Sequence, residues 1–414
     1  MKKRTSLIAV LLLFAGQVVF GQSLEDAKKD IYYEKFLTAQ KQLQQIVSSK
    51  PEAEAYYYLG QADIGLEDYD AAKADFTKGL QVDPKSALNM VGMGQVAINE
   101  KNYDVALTQF KNAFAQSEGR DFNVVRAILT ASSVSFNKDI TSYAIDLVGQ
   151  FKNNKKNRKY EMNAEDFTAL GDANANMPNG GGNAASSYEN AQALDNKYAA
   201  SFYKEGILYS RAYQDSLAVQ YWNDAINADA NYAPAYYRLF AYYRFKDLDK
   251  SKQYLDKYVA LSDDRYKNME YESQMYYSQR NYPEAIRVAD EILKTNPKPA
   301  VSTYKLLAIS QNAIGDSLTA KKNMDTYFQK QDTDKIVPAD YELFSAILSK
   351  LHQDSQANLY VAKAIAKDTT TNLLALRARA DQLREDNNFK GASLYYKKIL
   401  ELFKGNESNA VYDY

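Results

Sequence analysis

A small residue returns along this chain of 414 residues at a nearly constant interval. Subtracting successive positions gives steps of 33, 34, 38, 40, 34, 33, 34, 35, 37 and 35. A period near 34 residues is typical of arrays of helix–turn–helix units, which stack on their neighbours to bury their apolar faces. The sequence therefore predicts an elongated array with a surface for partners. The positions are Ala39, Ala72, Ala106, Ala144, Ala184, Ala218, Ser251, Ala285, Ala320, Ala357 and Ala392.

Each unit also carries the spacing of two packed helices. A residue four positions after each small one is bulky, with Ala289 as the exception. In the clearest unit, Leu59 and Gly60 mark a first helix, and Ala72 and Phe76 mark a second at helical spacing. Pro84 then ends the second helix, because proline cannot continue it. Small residues should lie where the two helices cross, and bulky ones should fill the space around them.

These units resemble the tetratricopeptide repeat, and the resemblance covers roughly residues 23 to 405. It rests on the register of one unit repeated along the chain, whose residues are Tyr56, Leu59, Gly60, Tyr69, Ala72, Phe76, Gly79 and Pro84. The resemblance implies an all-α fold: an α-solenoid of about eleven tetratricopeptide-like helix–turn–helix repeats forming a right-handed superhelix. It also implies a concave groove, lined by the first helix of each pair.

The first 21 residues have the pattern of a secretory signal peptide. Three basic residues at positions 2–4 precede an apolar run from Leu7 to Phe20, and Gln22 is the expected start of the mature chain. An uncleaved anchor or a buried helix is the alternative. The chain has no cysteine, which excludes disulfides, thiolate metal sites and a lipid-acceptor cysteine. We expect a periplasmic or secreted protein without a transmembrane segment after cleavage.

The register of the repeats divides the rest of the chain. Residues 22–118 are expected to form an N-terminal block, and 196–405 a C-terminal block before a polar tail at 406–414. Between them, residues 119–195 are expected to be degenerate repeats with long loops and a hinge. Two loops are predicted there, a basic run from Lys152 to Lys159 and a glycine-rich stretch from Met177 to Asn183.

The sequence offers little to support catalysis. No P-loop pattern accompanies Gly180–Gly182, and His352 is the only histidine, expected in a turn between helices. We predict no enzyme activity, no catalytic residue, no cofactor and no metal site. The net charge of -1 also argues against nucleic acid as a partner.

Asp-Ser-Leu occurs just before a predicted second helix at 215–217 and again at 316–318. Helix capping by Asp or Ser is one interpretation. The other is that the tripeptide resembles an acceptor motif for O-glycosylation in exported bacterial proteins.

The groove is the predicted functional surface. Its candidate residues are of types favoured at binding hot spots: Tyr203, Arg211, Tyr237, Arg244, Phe245 and Tyr277. Packing within the array is the alternative for each. We predict a non-catalytic scaffold that binds a protein or peptide partner of the cell envelope; a glycan-binding module at the outer membrane is the alternative. Oligomeric state is left open.

The carboxylate clamp of chaperone-binding members uses recurring Lys and Asn residues. At the matching places here stand Tyr57, Gln61, Val91 and Gln95. This departure argues against such a clamp in the N-terminal repeats.

Overall fold

The computed structural model describes residues 23–135, 137–370, 373–385 and 388–402. The predicted signal peptide, the expected start at Gln22 and the predicted polar tail lie outside them. The described residues contain twenty-two α-helices and two 3₁₀ helices, and no strand. The predicted all-α fold is confirmed.

The chain divides into two compact units, Met1–Ala235 and Tyr236–Tyr414. The helices of the first unit are α1 (Leu24–Tyr32), α2 (Phe36–Ser49), α3 (Ala53–Gly65), α4 (Tyr69–Val82), α5 (Ala87–Asn99), α6 (Tyr103–Gln116), α7 (Phe122–Ser132), α8 (Lys138–Asn153), α9 (Ala164–Asn174), α10 (Gly181–Leu194), α11 (Ala199–Arg211) and α12 (Asp215–Ala228), with a 3₁₀ helix at Lys155–Asn157.

The second unit begins within α13. Its helices are α13 (Ala233–Tyr243), α14 (Leu248–Leu261), α15 (Arg265–Ser278), α16 (Tyr282–Thr295), α17 (Val301–Ala313), α18 (Ser317–Lys330), α19 (Pro338–Lys350), α20 (Asp354–Lys367), α21 (Leu373–Glu385) and α22 (Phe389–Leu402), with a 3₁₀ helix at Thr333–Lys335.

The periodic small residues all lie in even-numbered helices, the second helix of each hairpin, and none is more than 3% exposed. The residues four positions later are at most 8% exposed. At Gly60 the Phe76 ring occupies the space that a Cβ would need, so the two helices touch there. Where serine replaces alanine, the Ser251 hydroxyl donates to the carbonyl of Phe240 at 3.0 Å and is thereby satisfied.

The turn inside most hairpins is built the same way. Five residues before the periodic small residue, the backbone adopts a positive φ, which lets the chain reverse between two helices. Just after this residue, Asp68, Asn102 and Asp316 cap the second helix with their side chains. The positive-φ residues at this position are Glu34, Glu67, Lys101, Asn179, Tyr213, Arg280, Gly315 and His352. His352 therefore lies in a turn, as expected.

The glycine-rich stretch is a shorter loop than predicted. Helix α10 begins at Gly181, so Gly181, Gly182 and Asn183 belong to its first turn. The first N–H groups of a helix have no acceptor within the helix, wherever it begins. A Cβ at Gly181 or Gly182 would meet no atom within 4 Å, so packing does not require glycine at either position. The basic run is also ordered, because the Asn157 amide donates to the carbonyls of Gly119 and Phe151 at 2.7 and 2.9 Å. The division of the chain lies at 235/236, and the hinge at 119–195 stays a prediction.

The two Asp-Ser-Leu segments differ in the structure. Asp316 caps α18 and accepts from the backbone N–H of Thr319 at 3.1 Å, whereas α12 begins at Asp215 itself. Ser216 is exposed, and Ser317 is 7% exposed. Capping is confirmed for Asp316, and glycosylation stays a prediction.

Candidate functional site

The odd-numbered helices of the first unit form its inner layer. From α1 to α11, each contacts the next odd-numbered helix as well as its hairpin partner. These first helices therefore form one continuous layer, and it is the layer that the resemblance predicts to line the groove. The groove itself stays a prediction.

In the first unit, residues that are far apart in sequence connect the first hairpin to the region around α11 and α12. The Tyr33 hydroxyl, in the turn after α1, donates to Asp229 Oδ2 at 2.7 Å. The neighbouring ring of Tyr32 lies 5.5 Å from that of Tyr198 and 5.2 Å from that of Tyr232. We call these five residues the clasp. It joins the first hairpin to the segments that flank α11 and α12.

Tyr203, a predicted groove residue, packs against the clasp. It is 7% exposed, and its ring meets that of Tyr232 edge-on at 5.5 Å. Burial holds the pKa of Tyr232 well above its ordinary value. The Tyr203 ring therefore contributes to packing in this structure and leaves little surface for a ligand.

A charge cluster centred on Arg126 occupies the same layer. Arg126 Nε donates to Asp166 Oδ1 at 2.6 Å, and its Nη1 pairs with Glu165. The Tyr160 hydroxyl donates to the other Asp166 oxygen at 2.6 Å, and burial together with this bond raises the pKa of Tyr160 to about 12. Asp166 is fully buried, so its charge is compensated inside the unit.

Arg211, another predicted groove residue, borders a small cavity of about 70 Å³. In this cavity Lys204 pairs with Asp172 at 2.8 Å, and the Tyr188 hydroxyl donates to Asp172 at 2.7 Å. Arg211 Nη1 donates to Asn176 Oδ1 at 3.2 Å. The volume is that of two or three water molecules, too small for a peptide side chain with its backbone.

The other four predicted residues belong to the second unit. There Tyr237 and Phe240 of α13 face Tyr271 of α15, with ring centroids 4.8 and 5.9 Å from the Tyr271 ring. Tyr258 of α14 closes the group at 5.8 Å from Tyr237 and 5.5 Å from Tyr271. Burial raises the pKa of the Tyr271 hydroxyl, which keeps it neutral and able to donate.

Arg244 lies at the C-terminal end of α13, beside this aromatic group. Its Nη1 donates to the side-chain oxygen of Gln274 on α15. Its guanidinium lies 4.8 Å from the ring of Phe245 and 6.0 Å from that of Phe240. Phe245 is 71% exposed, so one side of this arrangement is open to solvent.

We call the surface formed by Tyr237, Arg244, Tyr271 and Gln274, which includes no part of the fully buried Phe240, the α13–α15 face. The structure thus brings Tyr237, Arg244 and Phe245 together. Tyr277 is half-buried, with its ring 5.5 Å from that of Tyr282. Tyr271 and Gln274 were missed by the sequence reasoning, although helical spacing places them one turn apart on the same side of α15.

Two residues at the places of the carboxylate clamp bond to each other. Gln61 Nε2 donates to Gln95 Oε1 at 2.9 Å, which links α3 to α5. Their amides therefore serve to join successive repeats.

Within the described parts of the chain, no group of three or more His, Asp or Glu side chains could hold a metal ion. None of the helices in those parts is long and apolar enough to cross a membrane.

Comparisons agree with the observed architecture. A family model described as tetratricopeptide repeat matches residues 53–86, which correspond to α3, α4 and the following turn. No curated protein matches the chain in sequence. Among solved structures, a human IFIT1 dimer with m7Gppp-AAAA is 11% identical, with 92% of this chain and 96% of that chain covered and a TM-score of 0.51.

Two other solved structures are also similar. A tetratricopeptide repeat protein from Parabacteroides merdae is 14% identical, with 75% of this chain and 99% of that one covered and a TM-score of 0.46. Yeast Tom70 is 13% identical, with 94% and 93% covered and a TM-score of 0.46. At 11% identity, the likeness to the IFIT1 structure concerns the fold alone. Residues 53–86 match the tetratricopeptide repeat, and the other α-hairpins of the described residues follow the register predicted from it.

Proposed function

We propose that this protein is an exported, non-catalytic scaffold of the bacterial cell envelope, and that it binds a segment of another protein on the α13–α15 face. The observation that carries the proposal is the preformed pairing of α13 with α15. Tyr237 and Tyr271 lie 4.8 Å apart, and Arg244 is held by Gln274. Tyrosine and arginine dominate the energetics of protein interfaces, and rings already in place lose little entropy on binding.

The first unit is a poorer candidate for this role. The polar and aromatic side chains of its inner layer already contact one another, in the clasp and in the Arg126 cluster. A partner would have to break those contacts before it could bind there. The α13–α15 face, in contrast, has the exposed ring of Phe245 at its edge.

The cellular location is supported by the sequence alone. The basic start at residues 2–4 and the apolar run to Phe20 favour export. Cell fractionation with N-terminal sequencing of the mature protein is the test. We expect a periplasmic or secreted product that begins at Gln22, and a cytosolic product that retains Met1 would contradict export.

Binding is tested by immobilising the mature chain and identifying the envelope proteins that it retains. The variant Tyr237→Ala/Arg244→Ala should lose its partner by about tenfold or more, because two hot-spot residues are removed. A matched control, Lys252→Ala/Asp256→Ala, removes an exposed ion pair of α14 and should retain it. Equal retention by all three proteins, with unchanged helicity, would exclude the α13–α15 face.

The same tyrosine-rich surface is what suggested a glycan ligand as the alternative. Affinity electrophoresis in polysaccharide gels separates the two functions. A scaffold for protein segments migrates alike in gels with and without polysaccharide. Retardation of the wild type that disappears in the Tyr237→Ala/Arg244→Ala variant would show that the α13–α15 face binds a glycan and would favour the alternative function.

A further inference from the structure

Arg244 is a half-buried cation without an anionic partner. Its Nε is buried and makes no hydrogen bond, and its Nη1 donates to the neutral side-chain amide of Gln274. No carboxylate of the described residues forms an ion pair with it. Burial lowers the pKa of its guanidinium, as expected when a charge loses water and gains no counter-charge.

Three other partly buried cations of the described residues have an anionic partner. Arg126 pairs with Asp166, Lys305 pairs with Asp340 at 3.0 Å, and Arg379 pairs with Asp368. A buried charge is ordinarily paired, because its loss of hydration is otherwise uncompensated. Arg244 differs from these three cations.

The surroundings of Arg244 do not supply the missing charge. Glu270 lies one helical turn before Gln274 on α15, but its carboxylate accepts from the hydroxyl of Ser302 on α17. The guanidinium lies 6.0 Å from the ring of Phe240 and 4.8 Å from that of Phe245. Because a guanidinium has five N–H donors, it can donate to a carboxylate as well as to Gln274.

We propose that the protein segment bound on the α13–α15 face is acidic, and that a side-chain carboxylate of that segment pairs with Arg244. This inference rests on the proposed function and adds the chemical class of the partner. Charge complementarity selects the carboxylate, and the adjoining rings of Tyr237 and Tyr271 favour an apolar or aromatic residue next to it. Gln274 positions the guanidinium.

The test is a selection of random twelve-residue peptides, displayed on phage, against the full mature chain and two variants. Arg244→Gln removes the charge, and Arg287→Gln is the matched control because it removes an exposed guanidinium paired with Glu284 and Glu291. We expect Asp and Glu to be enriched at one position by the wild type and by the control. Arg244→Gln should lose this preference. Selection without any acidic preference, or a preference that survives Arg244→Gln, would overturn the inference.

A selected peptide then gives a quantitative measurement. Replacing its acidic residue by the matching amide should weaken binding to the wild-type chain about tenfold, since a charge-assisted hydrogen bond is lost. The same replacement should have no effect on binding to Arg244→Gln. Equal losses in both proteins would show that the carboxylate binds elsewhere. If envelope proteins are retained by the mature chain but no acidic preference appears, the proposed function stands and only this inference fails.

Discussion

The hydroxyl of Tyr33 donates a 2.7 Å hydrogen bond to the carboxylate of Asp229, although 196 positions separate the two residues. This contact belongs to the clasp, which ties the first hairpin to the segments around α12. Burial and the bond to Asp229 raise the pKa of Tyr33 to about 12, so the phenol is protonated and able to donate at neutral pH.

Replacing Tyr33 by Phe should loosen the clasp. We expect a loss of about 1 kcal/mol of stability, because one hydrogen bond to a charged acceptor disappears. Hydrogen exchange should accelerate in α1 and α2 and remain unchanged in α17 and α18. A double-mutant cycle with Asp229→Asn should return a coupling energy of similar size; a coupling of zero would mean that the contact is not formed in solution.

Gly60 and Gly149 form a matched pair for the packing of the hairpins. Gly60→Ala should destabilise the protein by about 1–3 kcal/mol, because the new Cβ would overlap the ring of Phe76. Gly149→Ala should stabilise it by about 0.5–1 kcal/mol, because this glycine lies within α8 with no atom within 4 Å of a new Cβ. Urea unfolding of the two variants measures the difference, and effects of the same sign would contradict the crossing of α3 and α4 at Gly60.

The two arginines, Arg126 and Arg244, should respond differently to removal of their charge. Arg126→Met leaves the buried carboxylate of Asp166 without its cation and should cost about 3–5 kcal/mol. Arg244→Met strands no carboxylate and should leave the unfolding midpoint unchanged or raise it. A large loss in Arg244→Met would reveal a structural role that the ion pairs of the chain do not indicate.

Asp63 should make stability depend on pH near neutrality. It is 1% exposed in α3, beside Asp75 of α4, and burial raises its pKa to about 7. Since an unfolded Asp titrates near 4, folding takes up a proton between about pH 4 and pH 7. The stability supported by this protonation is therefore present below about pH 4 and is lost as the pH rises towards 7.

Asp63→Asn removes this dependence and should be more stable than the wild type at pH 8, by about 1–2 kcal/mol. Unfolding measured from pH 4 to pH 8 gives the slope. Asp146→Asn, at an exposed position of α8, is the control and should keep the wild-type slope. A wild-type slope in Asp63→Asn would assign the dependence to another group.

The fold could be predicted from the sequence because the repeat is a local signal. Every periodic residue, from Ala39 to Ala392, lies in the second helix of its hairpin and is buried. The turn at His352 followed from the same register. The start of α10 at Gly181 could not be predicted from the register. Glycine usually indicates a loop, whereas here it occupies the first turn of a helix, where the N–H groups have no acceptor within the helix.

Only some features of the candidate site could be predicted from the sequence. Helical spacing placed Tyr237 and Arg244 on one side of α13, but the clasp pairs Tyr33 with Asp229 across several repeats, and no local pattern records that contact. For Tyr203 the sequence left packing within the array open as an alternative, and its burial favours that alternative. The missing counter-charge of Arg244 is likewise a property of the tertiary structure, in which its Nε makes no hydrogen bond and its Nη1 donates to Gln274.

The most direct test of the account is photo-crosslinking in living cells with p-benzoylphenylalanine introduced at Tyr237 or, as the control, at Lys252 on the exposed side of α14. We predict a protein adduct from position 237 that mass spectrometry identifies as an envelope protein crosslinked through an acidic segment, and none from position 252. Adducts of equal yield from both positions, or none from position 237, would contradict a partner-binding surface at the α13–α15 face.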